Sequence, residues 1–262
     1  MNISKYYKGD RNEPKIIEYY NISIHNERLI NDIHKRLKWH HEGYRCPVKG
    51  EYWEDTFDRC INPQGSNWKS GGHQSGADTI DEKTNISYQN KSGQIEKGKT
   101  ILESMNVRDL KKKIKNRNIK GCSKLKKEEL ISKLIEDGEN NDYVKKEAVS
   151  FTSHRTSTHE TLDDKLIFIT KKHCDKYVLL SRKKEEWKNE KKPYIYYLMI
   201  FDANKIDLSK NSLEWTKKGN KYEGKNENKP YHAWINGPKT SDQLNISINI
   251  DYIDGYHKII IP

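Results

Sequence analysis

A block of positive charge with helical periodicity interrupts the chain between Lys97 and Asp137 and limits the folds that the sequence can adopt. Thirteen of its residues are Lys or Arg and six are Asp or Glu, so it carries +7 of the +11 net charge of all 262 residues. Its apolar residues recur at helical intervals in two runs: Val107, Leu110 and Ile114, then Leu130, Leu134 and Ile135. Residues 116–123 between the runs have the composition of a loop. The block predicts a small helical hairpin inserted between two larger segments.

This hairpin resembles the SAP-type DNA-binding motif, in which two short amphipathic helices are joined by a loop with a central Gly. The matching residues are Val107-Arg108-Asp109-Leu110, Ile114 and the stretch from Gly121 to Ile131. The resemblance implies binding to the backbone of duplex DNA, which adds affinity but little choice of sequence. The implied phosphate contacts are Lys111, Lys112, Lys113, Lys124, Lys126 and Lys127. A helical hairpin without a role in DNA binding is the alternative interpretation.

The segments on either side of the block have the patterns of a mixed α/β domain. Only 33% of the residues are apolar, and sixteen Tyr, six Trp and four Phe supply much of the available core. Apolar spacing predicts helices over residues 29–41 and 51–61, and a hairpin of two short strands over residues 78–89. Further strands are expected at 149–152, 166–170, 177–180, 194–201 and 244–250, and a polar loop at 219–230.

The predicted hairpin brings together residues that suit phosphodiester chemistry. Asp78 precedes its first strand, and Gln89-Asn90-Lys91 begins eleven residues later, so that Asp78 and Gln89 approach each other. Gln89 and Lys91 are two residues apart and project from the same face of one strand. An acid, a second oxygen ligand and a lysine so grouped can hold a divalent cation and a hydrolytic water beside a phosphodiester. Lys91 can orient that water or stabilise the pentavalent phosphate.

These residues resemble the PD-(D/E)XK nuclease superfamily, and type II restriction endonucleases in particular. Asp78 matches the first acid, Gln89-Asn90-Lys91 matches (D/E)XK, and Glu54 lies in a preceding helix that often supplies a further acidic group. The resemblance implies a restriction-endonuclease-like central mixed sheet flanked by helices, with one or two Mg²⁺ ions per active site. The implied catalytic residues are Asp78, Gln89, Lys91 and Glu54, and the implied metal ligands are Asp78, Gln89, Asn90 and Glu54.

Two positions depart from the family pattern. Ala77 replaces the Pro of the motif, which is not a ligand, and Gln89 replaces the second acid. A neutral amide oxygen binds Mg²⁺ less strongly than a carboxylate does. Either Glu54 compensates for Gln89, or another acid such as Asp81 or Glu82 supplies the second ligand.

The resemblance also divides the chain. Residues 1–98 are expected to hold N-terminal helices and the first part of the catalytic core, 99–140 the SAP-like insert, and 141–262 the second part of the core with a target-recognition region. Ser153-His154-Arg155 follows a predicted strand and suits phosphate contact, or else forms a polar turn. Asn236, Lys239 and Gln243 have side chains that read base edges, although a polar loop between strands has the same composition.

Several partners and locations follow from these observations as expectations. The longest apolar run, Tyr194 to Phe201, is far shorter than the ~20 residues of a membrane span, and the segment from Met1 to Lys5 lacks the apolar core of a signal peptide. Four scattered cysteines predict reduced thiols in the cytoplasm of a bacterial or virus-infected host cell. Double-stranded DNA is the expected partner, with a homodimer at a palindromic target and a methyltransferase on a separate chain. The alternatives are a non-catalytic SAP-type DNA-binding protein and a structure-specific repair or recombination nuclease.

Overall fold

Two compact units make up the chain in the computed structural model, which describes residues 22–44, 46–48, 50–62, 77–81, 83–156, 159–171, 174–186, 193–236 and 242–262. The larger unit comprises Met1–Ile95 together with Val149–Pro262. The smaller unit is the segment Glu96–Ala148, which contains the predicted insert.

The described residues form both helices and strands, with most of the helices in the N-terminal half and most of the strands in the C-terminal half. The α-helices are α1 (Glu27–Gly43), α2 (Gly50–Ile61), α3 (Ile101–Ser104), α4 (Val107–Asn116), α5 (Lys127–Glu136) and α6 (Leu162–Lys171). The strands are β1 (Thr79–Ile80), β2 (Ser87–Glu96), β3 (Lys99–Thr100), β4 (Tyr143–Lys145), β5 (Ala148–Arg155), β6 (Lys176–Lys183), β7 (Tyr194–Asp202), β8 (Glu214–Lys218), β9 (Lys221–Lys225), β10 (Tyr231–Ile235), β11 (Gln243–Asn249) and β12 (His257–Ile261). Two short 3-10 helices cover Ala203–Lys205 and Ile250–Ile253.

A large mixed sheet forms the centre of the larger unit. Its strand order within the described residues is β12-β7-β6-β2-β5-β11-β10-β9-β8, with β1 paired to β2 beside this path. Strands β2 and β6 run parallel, whereas β6 with β7 and β10 with β11 run antiparallel. The predicted mixed α/β class, a mixed sheet flanked by helices, is confirmed.

Side-chain alternation gives the sheet two buried faces. Val178 and Leu180 of β6 join a core with α1 and α2, to which Trp53 and Phe57 contribute. Tyr177 and Leu179, their neighbours in the strand, join a second core with residues of α6. Because successive strand residues point to opposite faces, one strand supports both layers. Strand β2 lies beside β6 and is therefore central.

The strand predicted at residues 166–170 is wrong, because these residues belong to helix α6. The β-branched and aromatic run favours a strand by propensity, but the side chains of Leu166 and Ile169 are buried on one helical face. Thr161 caps the helix by accepting a hydrogen bond from the Asp164 backbone N–H at 3.1 Å. Asp163 and Asp164 lie in the first turn, where the helix dipole favours negative charge.

The loop predicted at residues 219–230 is also wrong in part, because β9 pairs with β8 and β10 there. Trp215 of β8 packs directly on Gly224 of β9, where a Cβ atom would come within 2.6–2.9 Å of the indole. The polar composition of this hairpin reflects one solvent-facing side of a strand, which sequence reading does not distinguish from a loop.

The smaller unit is a helical hairpin with its own core. Its fully or nearly buried side chains are Leu102, Leu110, Ile114, Cys122, Leu130 and Leu134. Asn106 caps α4 by accepting a hydrogen bond from the Asp109 backbone N–H at 2.9 Å. The loop before α5 contains Gly121 at a φ of +79°, a conformation that favours Gly. Val107 and Ile135 are 40% and 47% exposed, so the buried stripe is narrower than the sequence predicts.

Candidate active site

The predicted hairpin places Asp78 beside the start of β2. Thr79 pairs with Tyr88 in the antiparallel register of β1 and β2. The Asp78 backbone N–H donates to the Tyr88 carbonyl at 2.9 Å, and the Asp78 carboxylate accepts from the Asn90 N–H at 2.9 Å. These two bonds lie on either side of Gln89, so Asp78 and Gln89 approach each other as the spacing predicts.

Lys91 lies between two carboxylates. Its ammonium group forms an ion pair with Asp78 Oδ2 and lies 3.9 Å from Glu54 Oε1. The three side chains are only 17–27% exposed, so solvent screens their charges incompletely. Glu54 reaches this point because Trp53, the preceding residue of α2, is fully buried against the sheet and donates its indole N–H to the Val178 carbonyl at 3.4 Å.

The electrostatics of this cluster act most strongly on Glu54. Burial, followed by the nearby charge of Asp78, raises the pKa of Glu54 to about 7, and the positive charge of Lys91 opposes that rise. Two carboxylates therefore share one ammonium group, and the cluster takes up a proton near neutral pH. Burial, and then the charge of Asp78, also raises the pKa of the Cys174 thiol to about 12. Cys174 therefore stays protonated and is a poor ligand or nucleophile at neutral pH.

Gln89 is held in a hydrogen-bonded network with Ser153, His154 and Tyr177. The Ser153 hydroxyl donates to Gln89 Oε1 at 2.9 Å, and Gln89 Nε2 lies 3.0 Å from His154 Nε2. Ser153 Oγ also lies 2.7 Å from His154 Nδ1 and 3.0 Å from the Tyr177 hydroxyl. Sequence reasoning missed Tyr177, which the parallel register of β2 and β6 places opposite Gln89.

The other predicted ligands of the site differ in their surroundings. Asn90 is fully buried, and its side-chain N–H donates to Thr79 Oγ1 at 2.7 Å. Its side-chain oxygen is buried without a hydrogen-bond partner in the described part of the chain. Asp81 instead holds the hairpin turn, accepting from the Lys83 N–H at 2.9 Å and the Thr84 hydroxyl at 2.5 Å. Glu82 lies outside the described residues.

The predicted phosphate contacts of the smaller unit differ in exposure and in their hydrogen bonds. Lys113 pairs with Glu139 at 2.6 Å, and Lys127 donates to the Glu103 carbonyl at 2.7 Å, so both hold the unit together. Lys111 is exposed and donates to the Ser123 carbonyl at 2.8 Å. The exposed side chains without a described ion pair include Lys112, Lys124 and Lys126.

The remaining predicted DNA contacts lie at strand ends of the larger unit. Ser153 is buried in the network with Gln89, His154 is half-buried, and Arg155 is exposed at the end of β5. Asn236 follows β10, and its backbone N–H donates to the carbonyl of Gln243, the first residue of β11, at 3.4 Å. Lys239 lies outside the described residues.

A buried ion pair that the sequence does not reveal joins α6 to the start of β11. The side chains of Lys165 and Asp242 are 3% and 4% exposed and form a salt bridge. Lys165 also donates to the Thr156 carbonyl at 3.3 Å, and the Asp242 carbonyl accepts from the Thr156 N–H at 2.7 Å. The pair fixes the start of β11 next to the segment predicted to read DNA bases.

Comparisons with protein families, with curated proteins and with solved structures find no match for this chain. Among the described residues, no group of three or more His, Cys, Asp and Glu side chains is arranged to hold a metal ion. All four cysteines are free thiols. None of the helices in the described part of the chain has the length and apolar character of a membrane span.

Proposed function

We propose that the protein is a Mg²⁺-dependent endonuclease that hydrolyses phosphodiester bonds of double-stranded DNA at a specific sequence, with a fold of the restriction-endonuclease type. The observation that carries the proposal is the position of Lys91 between the carboxylates of Asp78 and Glu54. A sequence match of this length arises easily by chance, whereas the convergence of the α2 carboxylate on the same lysine does not follow from the spacing.

The donor set is compatible with Mg²⁺. This ion is commonly bound through one or two carboxylates and retains several water molecules or substrate oxygens. Asp78 and Glu54 would hold it, and the Gln89 amide oxygen is a neutral donor on the neighbouring part of β2. Burial, and then the charge of Asp78, raises the pKa of Glu54, and a divalent cation would favour its ionised form. When bound, Mg²⁺ supplies charge neutralisation at the phosphate and lowers the pKa of a coordinated water.

The side chains of this chain have separate tasks in the proposed reaction. The Lys91 ammonium group stabilises negative charge that develops on the phosphate, and it is close enough to Asp78 and Glu54 to orient a water between them. The Asn90 backbone N–H fixes the Asp78 carboxylate. The network of Ser153, His154 and Tyr177 fixes the Gln89 amide on the neighbouring part of β2.

The smaller unit supports the same proposal, because its surface can contact DNA without reading the base sequence. Lys112, Lys124 and Lys126 are exposed on a compact helical hairpin. Lysines of this kind contact phosphates and add salt-dependent affinity. We propose that sequence choice comes from the larger unit, through Arg155, Asn236, Lys239 and Gln243, and that a palindromic target is cut by a two-fold dimer.

A non-catalytic DNA-binding protein is the second candidate. Gln89 in place of an acid, and the occupation of one of its oxygen lone pairs by Ser153, favour this candidate. In that case the smaller unit carries the function, and the cluster around Lys91 stabilises the sheet. A structure-specific nuclease would use the same cluster on a different substrate.

Digestion assays on matched substrates separate these candidates. We expect discrete fragments from unmethylated linear duplex DNA in the presence of Mg²⁺, and intact DNA when EDTA replaces the metal. Cleavage confined to flaps or four-way junctions would favour the structure-specific nuclease over the sequence-specific enzyme. Salt-sensitive binding without cleavage of any of these substrates would refute the nuclease proposal.

The raised pKa of Glu54 predicts competition between protons and Mg²⁺. At pH values below the Glu54 pKa of about 7, the carboxyl group is mostly protonated, whereas Mg²⁺ requires the ionised form. The apparent Mg²⁺ affinity for cleavage should rise between pH 6 and pH 8, by about tenfold per pH unit at the acidic end. Mg²⁺ titrations of the cleavage rate at three pH values test this, and Glu54→Gln should bind weakly at all three. Equal Mg²⁺ affinity at pH 6 and pH 8 would contradict the assignment of Glu54.

The lysines of the smaller unit should separate into those that contact DNA and those that stabilise the fold. Lys112→Ala and Lys124→Ala should each reduce the slope of log affinity against log salt by about 1, without changing thermal stability. Lys113→Ala should instead lower thermal stability, because it leaves Glu139 with fewer partners. Anisotropy titrations with labelled duplex at several salt concentrations, together with thermal unfolding, measure both effects. An unchanged salt slope in Lys112→Ala and Lys124→Ala would rule out this surface as the DNA contact.

A further inference from the structure

One face of the sheet near β9 and β10 combines half-buried aromatic rings with lysines. Trp234 pairs with Glu223 of β9 on one side and with Asn245 of β11 on the other, so these three side chains point to the same face. The neighbours of Trp234 in β10, Ala233 and Ile235, are fully buried in the core on the opposite face. The indole is therefore not part of that core, and it lies half-buried on the polar side of the sheet.

Ring stacking and ionic contacts hold the side chains around Trp234 in place. The His232 ring stacks on the indole with a centroid distance of 5.6 Å, and Lys221 Nζ lies 5.1 Å from the indole centroid. Glu223 holds the nearby lysines in place, at 2.7 Å from Lys218 and 2.9 Å from Lys221. Hydrogen bonds from these lysines lower the pKa of Glu223 to about 2, so its charge persists at neutral pH.

This arrangement forms a basic cavity with an aromatic wall. A third lysine, Lys225, lies 3.4 Å from Glu223, so three lysines surround one carboxylate and the group keeps positive charge. A cavity of about 160 Å³ is lined by Lys221, Glu223, Lys225, His232, Ala233 and Trp234. We call the surface of Lys221, Lys225, His232 and Trp234 the β9–β10 face.

Polar side chains of β5 lie between Trp234 and Gln89 in the strand order. Asn245, the partner of Trp234, accepts a hydrogen bond from the Thr152 hydroxyl of β5 at 2.8 Å. His154 lies two residues further along β5 and ends 3.0 Å from Gln89. Trp234 and Gln89 lie on strands three spacings apart, about 14 Å perpendicular to the strands. Their side chains start from opposite faces, because Gln89 is level with Tyr177 of the second core.

We propose that the β9–β10 face binds a single-stranded nucleic acid segment, with a base against Trp234 and phosphates on Lys221 and Lys225. Aromatic rings on an open sheet face, next to lysines, are a common means of holding unstacked bases, and the π-face of a base is accessible only outside a duplex. The positive charge complements the phosphates. The inference goes beyond the proposed function, because binding at this face does not require the cluster around Lys91.

The test measures binding of a fluorescently labelled oligothymidylate to the full chain in EDTA, where no cleavage occurs. Trp234→Ala should weaken binding by about 5- to 150-fold, the range found for loss of one stacked base, and Trp234→Phe should restore most of it. Lys221→Ala should lower the salt slope by about 0.7. The matched control is Lys217→Ala on the same hairpin, because Lys217 pairs with Tyr222 and belongs to the opposite side of the strands. It should bind as the wild type does.

Photocrosslinking to a 5-bromouracil-substituted oligonucleotide shows directly where the bound strand lies on the protein. Crosslinks should occur in the tryptic peptide that contains Trp234 and disappear in Trp234→Ala. Wild-type affinity in a folded Trp234→Ala variant, or preference for duplex with crosslinks confined to the smaller unit, would overturn the inference. Such a result leaves Mg²⁺-dependent cleavage intact. Conversely, Trp234-dependent binding by a protein that never cleaves DNA would refute the proposed nuclease and support this face.

Discussion

Replacement of Lys91 by Met is expected to lower the rate of DNA cleavage by about 100- to 1,000-fold, the usual cost of removing one group that stabilises transition-state charge. The same variant should lose about 1–2 kcal/mol of stability, because Asp78 and Glu54 would then face each other without a shared cation at a partly buried position. Cleavage rates at saturating Mg²⁺ and urea unfolding of the metal-free chain measure the two effects.

The pH dependence of that stability loss identifies its cause. Lys91 is the group that opposes the rise in the pKa of Glu54, so its removal should raise that pKa further above the ordinary 4.5. A carboxyl group whose pKa is raised by folding stabilises the folded state at low pH, and this contribution is lost as pH rises through the folded pKa. Lys91→Met should therefore lose more stability near pH 8 than near pH 5, where only its ion pair with Asp78 is missed. Lys83→Met, at an exposed position of the same hairpin, is the control and should leave cleavage unchanged. Normal cleavage by a folded Lys91→Met variant would remove Lys91 from the mechanism.

Replacement of Lys165 by Met should destabilise the protein by about 3–5 kcal/mol, because it leaves the Asp242 carboxylate buried without its cation. A loss of this size is a large fraction of the 5–15 kcal/mol of a typical domain. The effect should appear in urea unfolding as a lower midpoint with little change in slope. At temperatures where the variant is folded, its free energy of DNA binding should change by less than its free energy of unfolding.

The double variant Lys165→Met/Asp242→Leu tests the origin of that loss. Replacing both charges by apolar side chains removes the unpaired carboxylate, and stability should return to within about 1–2 kcal/mol of the wild type. Lys210→Met provides the matched control, since Lys210 pairs with Asp163 of the same helix but both side chains are more than half exposed. Its expected cost is below about 1 kcal/mol. A double variant as unstable as Lys165→Met would show that lost packing, not the unpaired charge, is responsible.

Local patterns were sufficient to predict the hairpin and the helical insert. The spacing between Asp78 and Lys91 depends on one antiparallel register and one tight turn, both of which are short-range features. The spacing of Leu110 and Ile114, followed by Leu130 and Leu134, gives the buried stripes of α4 and α5 directly. These predictions succeeded because each element carries its own pattern of buried residues.

Contacts between distant segments could not be predicted in the same way. Glu54 reaches Lys91 only because Trp53 is buried against β6, and Gln89 meets Ser153 only because β5 lies next to β2. Helix α6 has the composition of a strand, and its conformation is decided by capping and by burial of one face. The Lys165–Asp242 pair joins residues far apart in the sequence and leaves no local signal.

The central claim is that Asp78, Glu54 and Lys91 form a metal-dependent phosphodiesterase site. Its most direct test is a time course of duplex DNA digestion with saturating Mg²⁺ by the wild type and by Asp78→Asn, with folding of both verified by circular dichroism. We expect the wild type to cut the duplex into discrete fragments. Folded Asp78→Asn should bind the duplex but cut it at least about 100-fold more slowly. Equal cleavage by the two proteins, or binding without cleavage by either, would contradict this assignment.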